Sequence, residues 1–362
     1  MHVGYGAAFQ NRGEDPDDVF MRRELALCLR AEELGFDSVW LPEHHFSDYG
    51  LVPDPLQILA FVAARSSTIK LGTGVLVLPW HDPVRIAEKV ILLDHLSEGR
   101  VLVGLGRGLS KYEFQGLRVP QEESRARFNE YARLVLDALE TGVIEGGELT
   151  RQPRRELRPR PSRSFAGRVF SASVSPESAP ISAELGLGAM FLIVKPLEAL
   201  QADWLRYQDA WRAIHGDAEP PRPFLQAAVV VDESADRAAE VASRHGNASH
   251  RVAVRHYGMA DDDFGTAKGY DYYQVMRTTV DGDAPPGAQE RPPATIVHGT
   301  PDQVLEQLDA YRQALDLQGV YAIFHGVPEE DGRRNVECFV ERCLPELKSW
   351  GTEHMAGKEA AL

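Results

Sequence analysis

The sequence predicts an α/β protein in which eight parallel strands close into a barrel surrounded by helices, a (β/α)8 TIM barrel with insertions. Short β-rich runs alternate eight times with longer amphipathic runs, as parallel strands joined by crossover helices require. Strand candidates such as residues 71–78 are almost wholly apolar, which is typical of a sheet covered on both faces. No Gly-x-Gly-x-x-Gly motif follows the first strand, which weighs against an open dinucleotide-binding sheet.

The predicted elements follow one another in regular order. The predicted strands are residues 2–9, 38–43, 70–78, 101–105, 168–174, 189–194, 225–231 and 320–324. The predicted helices are residues 18–34, 55–66, 83–96, 122–139, 179–185, 197–215, 235–256, 301–315 and 330–347. Gly35 is a natural helix stop, and Pro83 suits the first turn of a helix. We therefore expect one barrel domain over residues 1–350 and a frayed tail at residues 351–362.

Two long irregular stretches interrupt this order. Residues 141–167 are rich in Arg and Pro and are predicted to form a surface loop. Seven arginines lie between residues 151 and 168 of a chain with a formal net charge of −15. This stretch is either a solvated loop or a docking patch for an acidic partner, such as a carrier protein or an anionic substrate. Residues 257–299 are a candidate mobile lid, because long loops in compact domains are commonly functional or disordered.

Composition argues against several classes of function. The net charge of −15 and the sequence pI of about 5.3 argue against a general nucleic-acid binder. No apolar run approaches the roughly 20 residues needed to cross a bilayer, and the N-terminus does not resemble a secretory signal. The three cysteines show neither metal-ligand nor Cys-x-x-Cys spacing. We therefore expect a cytoplasmic protein without a nucleic-acid or membrane partner.

Two histidines follow the second predicted strand, and functional groups of a barrel lie at the carboxyl ends of its strands. His44 and His45 come directly after Glu43. Because side chains alternate along a strand, one of the two should point into the barrel mouth, where imidazole can transfer protons near neutral pH. Alternatively, both histidines only bond backbone or carboxylate groups. A metal site is not expected, because neither His81 nor His95 has suitable spacing.

Candidate phosphate ligands follow the fourth and fifth predicted strands. Arg107 stands between two glycines, which allow close backbone approach, and its guanidinium suits an oxyanion. Alternatively, Arg107 bridges to an acid such as Glu113. Ser175 and Ser178 precede a predicted helix, where serines either cap the helix or hold phosphate. Because barrel strands end at one face, the arginine and the serines should meet there and bind a phosphorylated cofactor.

Motifs along nearly the whole chain resemble those of the bacterial luciferase-like flavin-dependent monooxygenase family. Residues 35–46, Gly-Phe-Asp-Ser-Val-Trp-Leu-Pro-Glu-His-His-Phe, resemble the second strand of the luciferase α subunit. The similarity continues in register through residues 71–73, 77–79, 81–85, 92–94, 97–100, 107–109, 268–272 and 299–301. Motifs so long and so widely distributed are specific for the family and less so for the substrate.

The resemblance implies an enzyme that binds reduced FMN from a separate flavin reductase. Such an enzyme uses O2 through a C4a-(hydro)peroxyflavin to oxygenate an organic molecule. The resemblance assigns the catalytic positions to His44 and His45. The cofactor-binding positions that it implies are Arg107, Ser175, Ser178, Gly74, Val75 and Gly106, with a non-proline cis peptide between Gly74 and Val75. It also implies a homodimer formed through the helices at residues 55–66 and 83–96.

The resemblance also implies a substrate pocket and departures from the family pattern. The expected pocket and lid residues are Phe9, Ser110, Glu113, Tyr257, Lys268, Tyr270 and Tyr272. Gly106 stands where the family has a reactive cysteine, Ser110 where luciferase has a pocket tyrosine, and Val174 where a glutamate precedes the phosphate serine. These differences argue against a long-chain aldehyde and light emission. We expect a small or carrier-bound substrate, with a role in specialised metabolism.

Two alternatives remain open at this stage. One is an oxidoreductase of the same barrel superfamily that uses the deazaflavin F420 for hydride transfer. The other is a non-catalytic flavin-binding relative of luciferase. The Glu-His-His-Phe sequence followed by Arg107-Gly108-Leu109 favours the FMN monooxygenase over both.

Overall fold

The structure, a computed structural model, describes residues 1–11, 15–274, 295–324 and 330–350. Its strands are β1 His2–Gly6, β2 Ser38–Leu41, β3 Lys70–Val77, β4 Val101–Gly106, β5 Val143–Gly146, β6 Gln152–Glu156, β7 Val169–Ala172, β8 Gly188–Leu192, β9 Phe224–Val231, β10 Ile296–Gly299 and β11 Gly319–Phe324. Its α-helices are α1 Asp17–Arg30, α2 Pro55–Ala63, α3 Pro83–Leu96, α4 Lys111–Leu117, α5 Ser124–Thr141, α6 Ser178–Glu184, α7 Leu197–His215, α8 Ala235–Tyr257, α9 Pro301–Leu315, α10 Glu330–Cys338 and α11 Leu344–Ser349.

Eight of these strands form a closed parallel barrel, which confirms the predicted fold. The strands follow the order β1, β2, β3, β4, β7, β8, β9 and β11, and β11 pairs back with β1. Val3 of β1 lies opposite Val320 of β11, and Phe191 of β8 lies opposite Leu225 of β9. The short strand β10 pairs in parallel with the second half of β9. All eight barrel strands therefore end at one face, the barrel mouth.

Large side chains fill the barrel interior. The buried cluster inside the barrel comprises Trp40, Leu102, Phe170, Met190, Phe224 and Tyr321. The rings of Trp40 and Tyr321 stack with centroids 4.9 Å apart. A Cβ atom on Gly72 would lie only 2.4 Å from the Trp40 ring, so a glycine is needed beside the indole. Because the interior is packed, a ligand cannot enter the barrel itself, and the mouth is where functional groups of this fold lie.

Helix starts coincide with capping residues in the sequence. Asp82 accepts hydrogen bonds from the first turn of α3, directly before Pro83. Thr300 and Gln303 form a reciprocal capping box at the start of α9. The final predicted helix, residues 330–347, is divided into α10 and α11 by a turn of π-helix at Phe339–Cys343. Pro345 lacks the N–H that a continuous α-helix would need there.

The predicted loop at residues 141–167 contains an antiparallel hairpin formed by β5 and β6. Most residues of β6 are exposed, so the segment shows no alternation between apolar and polar residues that could have revealed a strand. Helix α4 and strand β10 were also absent from the predicted elements. Both are short, with seven and four residues.

The arginine-rich hairpin, which comprises β5, β6 and the segment that follows them up to residue 168, lies at the end of the barrel opposite the mouth. Helix α5 runs away from the mouth before the hairpin, and β7 starts directly after it. Arg163 donates a hydrogen bond to the carbonyl oxygen of Glu98, in the turn that precedes β4. Several of its arginines pair locally, including Arg158 and Arg160 with Glu156. A partner bound here would not deliver a substrate directly to the mouth.

Among the described residues, no helix is both long enough and apolar enough to cross a membrane. The predicted lid falls partly outside the description, since residues 275–294 are not described, and neither is the predicted tail at residues 351–362.

Candidate functional site

The two predicted histidines lie in the coil that follows β2 and their side chains point in different directions. Strand β2 ends at Leu41, two residues earlier than predicted. The His44 ring points toward helix α4, where its Nδ1 lies 3.3 Å from Glu113 Oε1. The His45 ring instead points to Glu43, with its Nε2 3.2 Å from Glu43 Oε1. The predicted divergence of the two side chains is therefore present, although in a coil.

Glu113 is a buried carboxylate at the centre of the His44 cluster. Its Oε1 accepts a hydrogen bond of 2.7 Å from the backbone N–H of His45 and lies close to His44 Nδ1. Its Oε2 lies 3.3 Å from His256 Nε2. Burial disfavours the charged carboxylate, but the two imidazoles outweigh it and lower the pKa of Glu113 to about 2. Glu113 is therefore ionised and holds both imidazoles.

Helix α4 brings Glu113 to this position, and its start could have been found in the sequence. Ser110 caps the helix by accepting the backbone N–H of Glu113. The Ser-x-x-Glu spacing is that of a capping box. Here, however, the glutamate side chain turns to the histidines. Ser110 Oγ also donates to the carbonyl oxygen of His256, at 2.8 Å, and so ties α4 to the end of α8.

His256 is a functional candidate that the sequence did not reveal. It lies at the end of α8, far from His44 in the chain, and its side chain is fully buried. Its Nδ1 lies 2.6 Å from Ser47 Oγ. Burial lowers the pKa of His256 despite the nearby Glu113 carboxylate. Nothing in the sequence around residue 256 marks it, because its partners come from other elements.

A second buried carboxylate, Glu43, supports the neighbouring histidine. Glu43 Oε1 contacts His45 Nε2 and also His81 Nε2, the latter at 2.5 Å. Its Oε2 accepts the backbone N–H of Val77 at 2.7 Å. Burial opposes ionisation, but these hydrogen bonds lower the pKa of Glu43 below its ordinary value. His45 is thereby oriented through its side chain by Glu43 and through its backbone by Glu113.

Aromatic side chains surround His44. Its ring makes T-shaped contacts with three other rings. The distances between ring centroids are 4.6 Å to Tyr49, 5.1 Å to His256 and 6.4 Å to Tyr257. Burial raises the pKa of both tyrosines, so the phenols are neutral near pH 7. The predicted pocket residue Tyr257 thus lies beside the predicted catalytic His44. The wall around His44 is therefore aromatic, formed by two tyrosines and a second imidazole.

Arg107 makes no salt bridge to Glu113, so that alternative is wrong. Its guanidinium is buried, and neither Nη1 nor Nη2 has a hydrogen-bond partner among the described residues. The ring of Tyr270 covers the guanidinium at 4.0 Å. Tyr270 Oη lies 2.9 Å from both the Gly108 carbonyl oxygen and Ser124 Oγ. A buried cation without an acceptor demands an anionic ligand.

A second arginine, which the sequence did not single out, stands beside Arg107. Arg125 of helix α5 likewise has buried guanidinium nitrogens without hydrogen-bond partners among the described residues. Burial and the neighbouring Arg107 lower the pKa of Arg125 to about 10. Its Nη2 lies 3.8 Å from Glu177, between the two predicted serines. In the sequence, Arg125 looks like an ordinary solvated charge on an amphipathic helix.

The predicted serines lie next to this arginine pair. Ser175 Oγ and Ser178 Oγ are 2.8 Å apart. Glu177, rather than a serine, occupies the N-cap position of α6, and no side chain caps that helix. The capping interpretation of the serines is therefore wrong, and their hydroxyl groups remain candidates for binding an oxyanion. Lys195, at the end of β8, donates to the Val174 carbonyl oxygen nearby.

The backbone geometry at the mouth agrees with one further expectation. The peptide bond between Gly74 and Val75 is cis, as the resemblance predicts. Gly106 ends β4, and a Cβ atom there would lie 2.4 Å from Val75 Cγ2. The Val75 side chain therefore explains why this chain has a glycine where the resemblance expects a cysteine.

The other predicted pocket and lid residues are more dispersed. Phe9 is completely buried in the main core, between the strands and the helices. Lys268 is exposed. Tyr272 is partly buried, and Lys195 Nζ lies 5.6 Å from the centre of its ring. The structure thus brings Tyr257, Tyr270 and Tyr272 to the mouth and leaves Phe9 in the core.

The mouth therefore combines two kinds of chemistry. One side offers an imidazole oriented by an ionised carboxylate, which can accept or donate a proton at His44. The other offers two buried guanidinium groups for an oxyanion such as phosphate. In addition, His44, Glu113 and His256 place three potential metal-ligand atoms within 4.8 Å of one another, a grouping that sequence spacing did not predict.

Comparison with known proteins identifies a family and close relatives. A family model described as luciferase-like monooxygenase matches residues 1–318. The alkanal monooxygenase alpha chain of Photobacterium leiognathi is 27% identical over 351 residues, which cover 94% of this chain and 97% of that protein. The 4-hydroxyprotoasukamycin monooxygenase of Streptomyces nodosus subsp. asukaensis is 32% identical over 214 residues, covering 56% of this chain and 57% of that protein.

Solved structures share the fold along almost the whole chain. Monooxygenase RslO1 from Streptomyces bottropensis superposes with a TM-score of 0.74 at 26% identity, covering 96% of this chain and 99% of that one. The oxygenating constituent of 3,6-diketocamphane monooxygenase from Pseudomonas putida, a Baeyer–Villiger enzyme in complex with FMN, gives a TM-score of 0.73 at 17% identity, with coverage of 96% and 99%. A coenzyme F420-dependent reductase from Methanopyrus kandleri gives 0.66 at 16% identity, with the same coverage. The last two show the fold alone.

Proposed function

This chain belongs to the luciferase-like monooxygenase family, and from that premise we propose that it oxygenates a small organic substrate with reduced FMN and O2. The reduced FMN comes from a separate flavin reductase. The observation that carries the proposal is that Arg107 and Arg125 each direct two buried guanidinium nitrogens at a space where, among the described residues, no hydrogen-bond acceptor meets them. Two adjacent buried cations fit a doubly charged phosphate monoester, as at the end of FMN.

The residues of the mouth divide the work between binding and chemistry. Arg107 and Arg125, with Ser175 and Ser178, would hold the FMN phosphate, and Tyr270 would cover it. When bound, reduced FMN supplies the electrons with which O2 is activated. Because the ionised Glu113 Oε1 lies 3.3 Å from His44 Nδ1, that nitrogen would carry a proton, and Nε2 of the uncharged ring would be left to accept one. The aromatic rings around His44 would limit the access of water to the reacting atoms once the flavin is bound.

The proposed substrate is a small organic molecule of specialised metabolism. Two monooxygenases from Streptomyces, one of them named for 4-hydroxyprotoasukamycin, are among the similar proteins. The position of the arginine-rich hairpin, opposite the mouth, does not support delivery of a carrier-bound substrate from that patch. The substitution of Ser110 for a pocket tyrosine and its bond to the end of α8 support a pocket different from that for a long-chain aldehyde.

We also propose a homodimer formed through α2 and α3. Three large apolar side chains on these helices are exposed: Phe61 by 38%, Leu92 by 48% and Leu96 by 60%. Apolar side chains grouped on neighbouring helices favour burial against a second copy. Sedimentation analysis of the purified chain tests this, and replacing Leu92 and Leu96 with Glu should yield monomers.

A comparison of two flavins tests the cofactor. In anaerobic titrations, the protein should bind reduced FMN about 100-fold more tightly than reduced riboflavin, which lacks the phosphate. Arg107→Met should abolish that preference and leave riboflavin binding unchanged. Equal affinity of the wild-type protein for the two flavins would contradict the phosphate site. Tighter binding of reduced F420 than of reduced FMN would instead favour the hydride-transfer alternative.

Admission of air tests oxygen chemistry. With reduced FMN bound, O2 consumption should precede the reappearance of oxidised-flavin absorbance, because the site shields the reaction from water. Free reduced FMN is the control, in which the two signals coincide. If bound reduced FMN does not react with O2, the protein is a non-catalytic flavin binder. Incorporation of one 18O atom from labelled O2 into a product identifies a substrate when candidates are supplied.

A further inference from the structure

Four polar side chains follow one another in a row that ends at His44: Ser47, His256, Glu113 and His44 itself. Ser47 Oγ lies 2.6 Å from His256 Nδ1. His256 Nε2 lies 3.3 Å from Glu113 Oε2, an ion-pair distance at which the N–H is not aligned for a hydrogen bond. The other oxygen of the same carboxylate, Oε1, lies 3.3 Å from His44 Nδ1. The side chains of Glu113 and His256 are at most 1% exposed, whereas that of His44 is 17% exposed. The row therefore runs from a buried interior to one accessible imidazole.

The ionised carboxylate determines where the protons of this row reside. A carboxylate only accepts hydrogen bonds, so the imidazole nitrogens that face it must carry protons. His256 accordingly bears its proton on Nε2, and its Nδ1 accepts from the Ser47 hydroxyl. His44 bears its proton on Nδ1. The reverse tautomer of His256 would direct a lone pair at the Glu113 carboxylate, which is unfavourable in a buried site.

His256 restrains Glu113 on the side that His44 does not reach. Among the described residues, the contact with His256 is the one at Oε2, so without it the carboxylate could rotate or take up a proton. Either change would free His44 to adopt its other tautomer. The backbone N–H of His45 alone, bound to Oε1, fixes one oxygen but not the orientation of the other.

We propose that His256 is a positioning residue for the oxygenation reaction. It acts through Glu113 to keep His44 in the tautomer whose Nε2 accepts a proton, and Ser47 fixes the tautomer of His256 in turn. This inference rests on the proposed function, in which His44 meets the reacting atoms. The geometry of the four groups is independent of the cofactor, so the positioning role of His256 and the proposed function can fail separately.

Nitrogen-15 NMR of histidine-labelled protein, recorded without flavin near pH 7.5, tests the tautomer. The His44 signals, identified by their loss in His44→Ala, should show a protonated Nδ1 and an unprotonated Nε2 in the wild type. His256→Leu should convert them to a mixture of tautomers. His256→Gln, whose amide can still donate to Glu113, should restore the wild-type pattern in large part.

A matched control lies on the same helix. His245 of α8 is also buried and also pairs with one carboxylate, Asp331, at 3.1 Å. His245→Leu should leave the His44 signals unchanged. If His256→Leu also leaves them unchanged, or if His245→Leu alters them equally, the positioning role is overturned.

A double-mutant cycle tests whether His256 acts through Glu113. Flavin oxidation is followed in air-saturated buffer after one turnover of bound reduced FMN. We expect its rate constant to change about 10-fold in His256→Leu and about 100-fold in Glu113→Gln. The double variant should match Glu113→Gln, with reduced-FMN affinity unchanged within about two-fold in all three. Multiplication of the two single effects would overturn the proposal.

Two further outcomes are distinguishable from these. If the wild type does not bind reduced FMN, the proposed function fails, whereas the NMR experiment still decides the role of His256. Titration with Co2+ tests the geometric alternative, a metal held by His44, Glu113 and His256. A stoichiometric Co2+ complex with visible absorption bands that disappear in His256→Leu would assign the cluster to metal binding and overturn the positioning role.

Discussion

The two polar regions of the barrel mouth differ in how far the protein itself completes them. Around Glu113, Oε1 accepts the backbone N–H of His45, and Oε2 lies 3.3 Å from His256 Nε2, at ion-pair distance without hydrogen-bond alignment, so groups of the chain itself meet both oxygens. Around Arg107 and Arg125, four guanidinium nitrogens, Nη1 and Nη2 of Arg107 and Nε and Nη2 of Arg125, are buried and lack hydrogen-bond partners among the described residues. The first region is organised before any ligand arrives. The second is incomplete without one, which identifies it as the binding half of the site.

A third buried group extends the comparison away from the mouth. Glu24 of α1 is 3% exposed, and its Oε1 has no hydrogen-bond partner among the described residues. Burial raises the pKa of Glu24 to about 8, although a backbone hydrogen bond from Phe9 opposes the shift. Glu24 and Glu113 are thus both buried glutamates, but their pKa values move in opposite directions. Two imidazoles outweigh the effect of burial at Glu113, whereas the backbone hydrogen bond from Phe9 does not outweigh it at Glu24.

The largest expected effect is on stability at Glu24. The pKa of Glu24 is raised in the folded state. Its contribution to the free energy of unfolding is therefore complete below about pH 4.5 and is lost as pH rises toward 8. Near pH 8, the free energy of unfolding of Glu24→Gln should therefore exceed that of the wild type by about 4 kcal/mol. Near pH 5, the two proteins should have similar free energies of unfolding. Urea unfolding at both pH values measures this. The exposed Glu33→Gln serves as the control, and a pH-independent difference for Glu24→Gln would contradict the assignment.

The next effect has the opposite sign and concerns Glu113. Because the pKa of Glu113 is lowered to about 2 in the folded state, the ionised carboxylate stabilises the folded protein above about pH 4.5. That stabilisation is lost as pH falls toward 2. The wild type should lose about 3 kcal/mol more unfolding free energy over this window than Glu113→Gln. Urea unfolding at a series of acid pH values tests the difference. Parallel pH profiles for the two proteins would show that Glu113 is not held by its imidazoles.

The smallest effect concerns the cover over the arginine pair. Tyr270→Phe keeps the ring over Arg107 and removes the hydroxyl contacts to Gly108 and Ser124. The affinity for reduced FMN should fall about five-fold, equivalent to about 1 kcal/mol. Tyr270→Leu, which also removes the ring, should weaken it further. Equal affinities of both variants and the wild type would show that Tyr270 does not cover the phosphate.

The sequence allowed the barrel to be predicted because its signals are periodic and local. Every barrel strand was predicted, since each is an apolar run followed by an amphipathic helix. The hairpin at β5 and β6 was missed because its strands are largely exposed and give no apolar alternation. Helix α4 was missed because seven residues are too few to show a repeated helical pattern of apolar residues. Ser110 and Glu113 nevertheless have capping-box spacing.

The site was predicted in part, for a related reason. His44 and Arg107 stand directly after strands, where a barrel brings functional groups together. His256 and Arg125 lie within long helices, and their importance comes from residues distant in the chain. Tertiary contacts alone distinguish them from the other charged and polar residues of those helices. The alternative in which Arg107 bridges to Glu113 was wrong, and the carboxylate of Glu113 faces His44 and His256 instead.

The contact between Gly106 and Val75 restricts the order in which this site could change by mutation. A Cβ at position 106 would lie 2.4 Å from Val75 Cγ2, so Gly106→Cys alone should disturb the end of β4. If Val75→Ala comes first, the space opens and the thiol can be accommodated. The two positions are therefore epistatic, and a lineage that acquired a thiol beside the cofactor would have to shorten residue 75 before it changed residue 106.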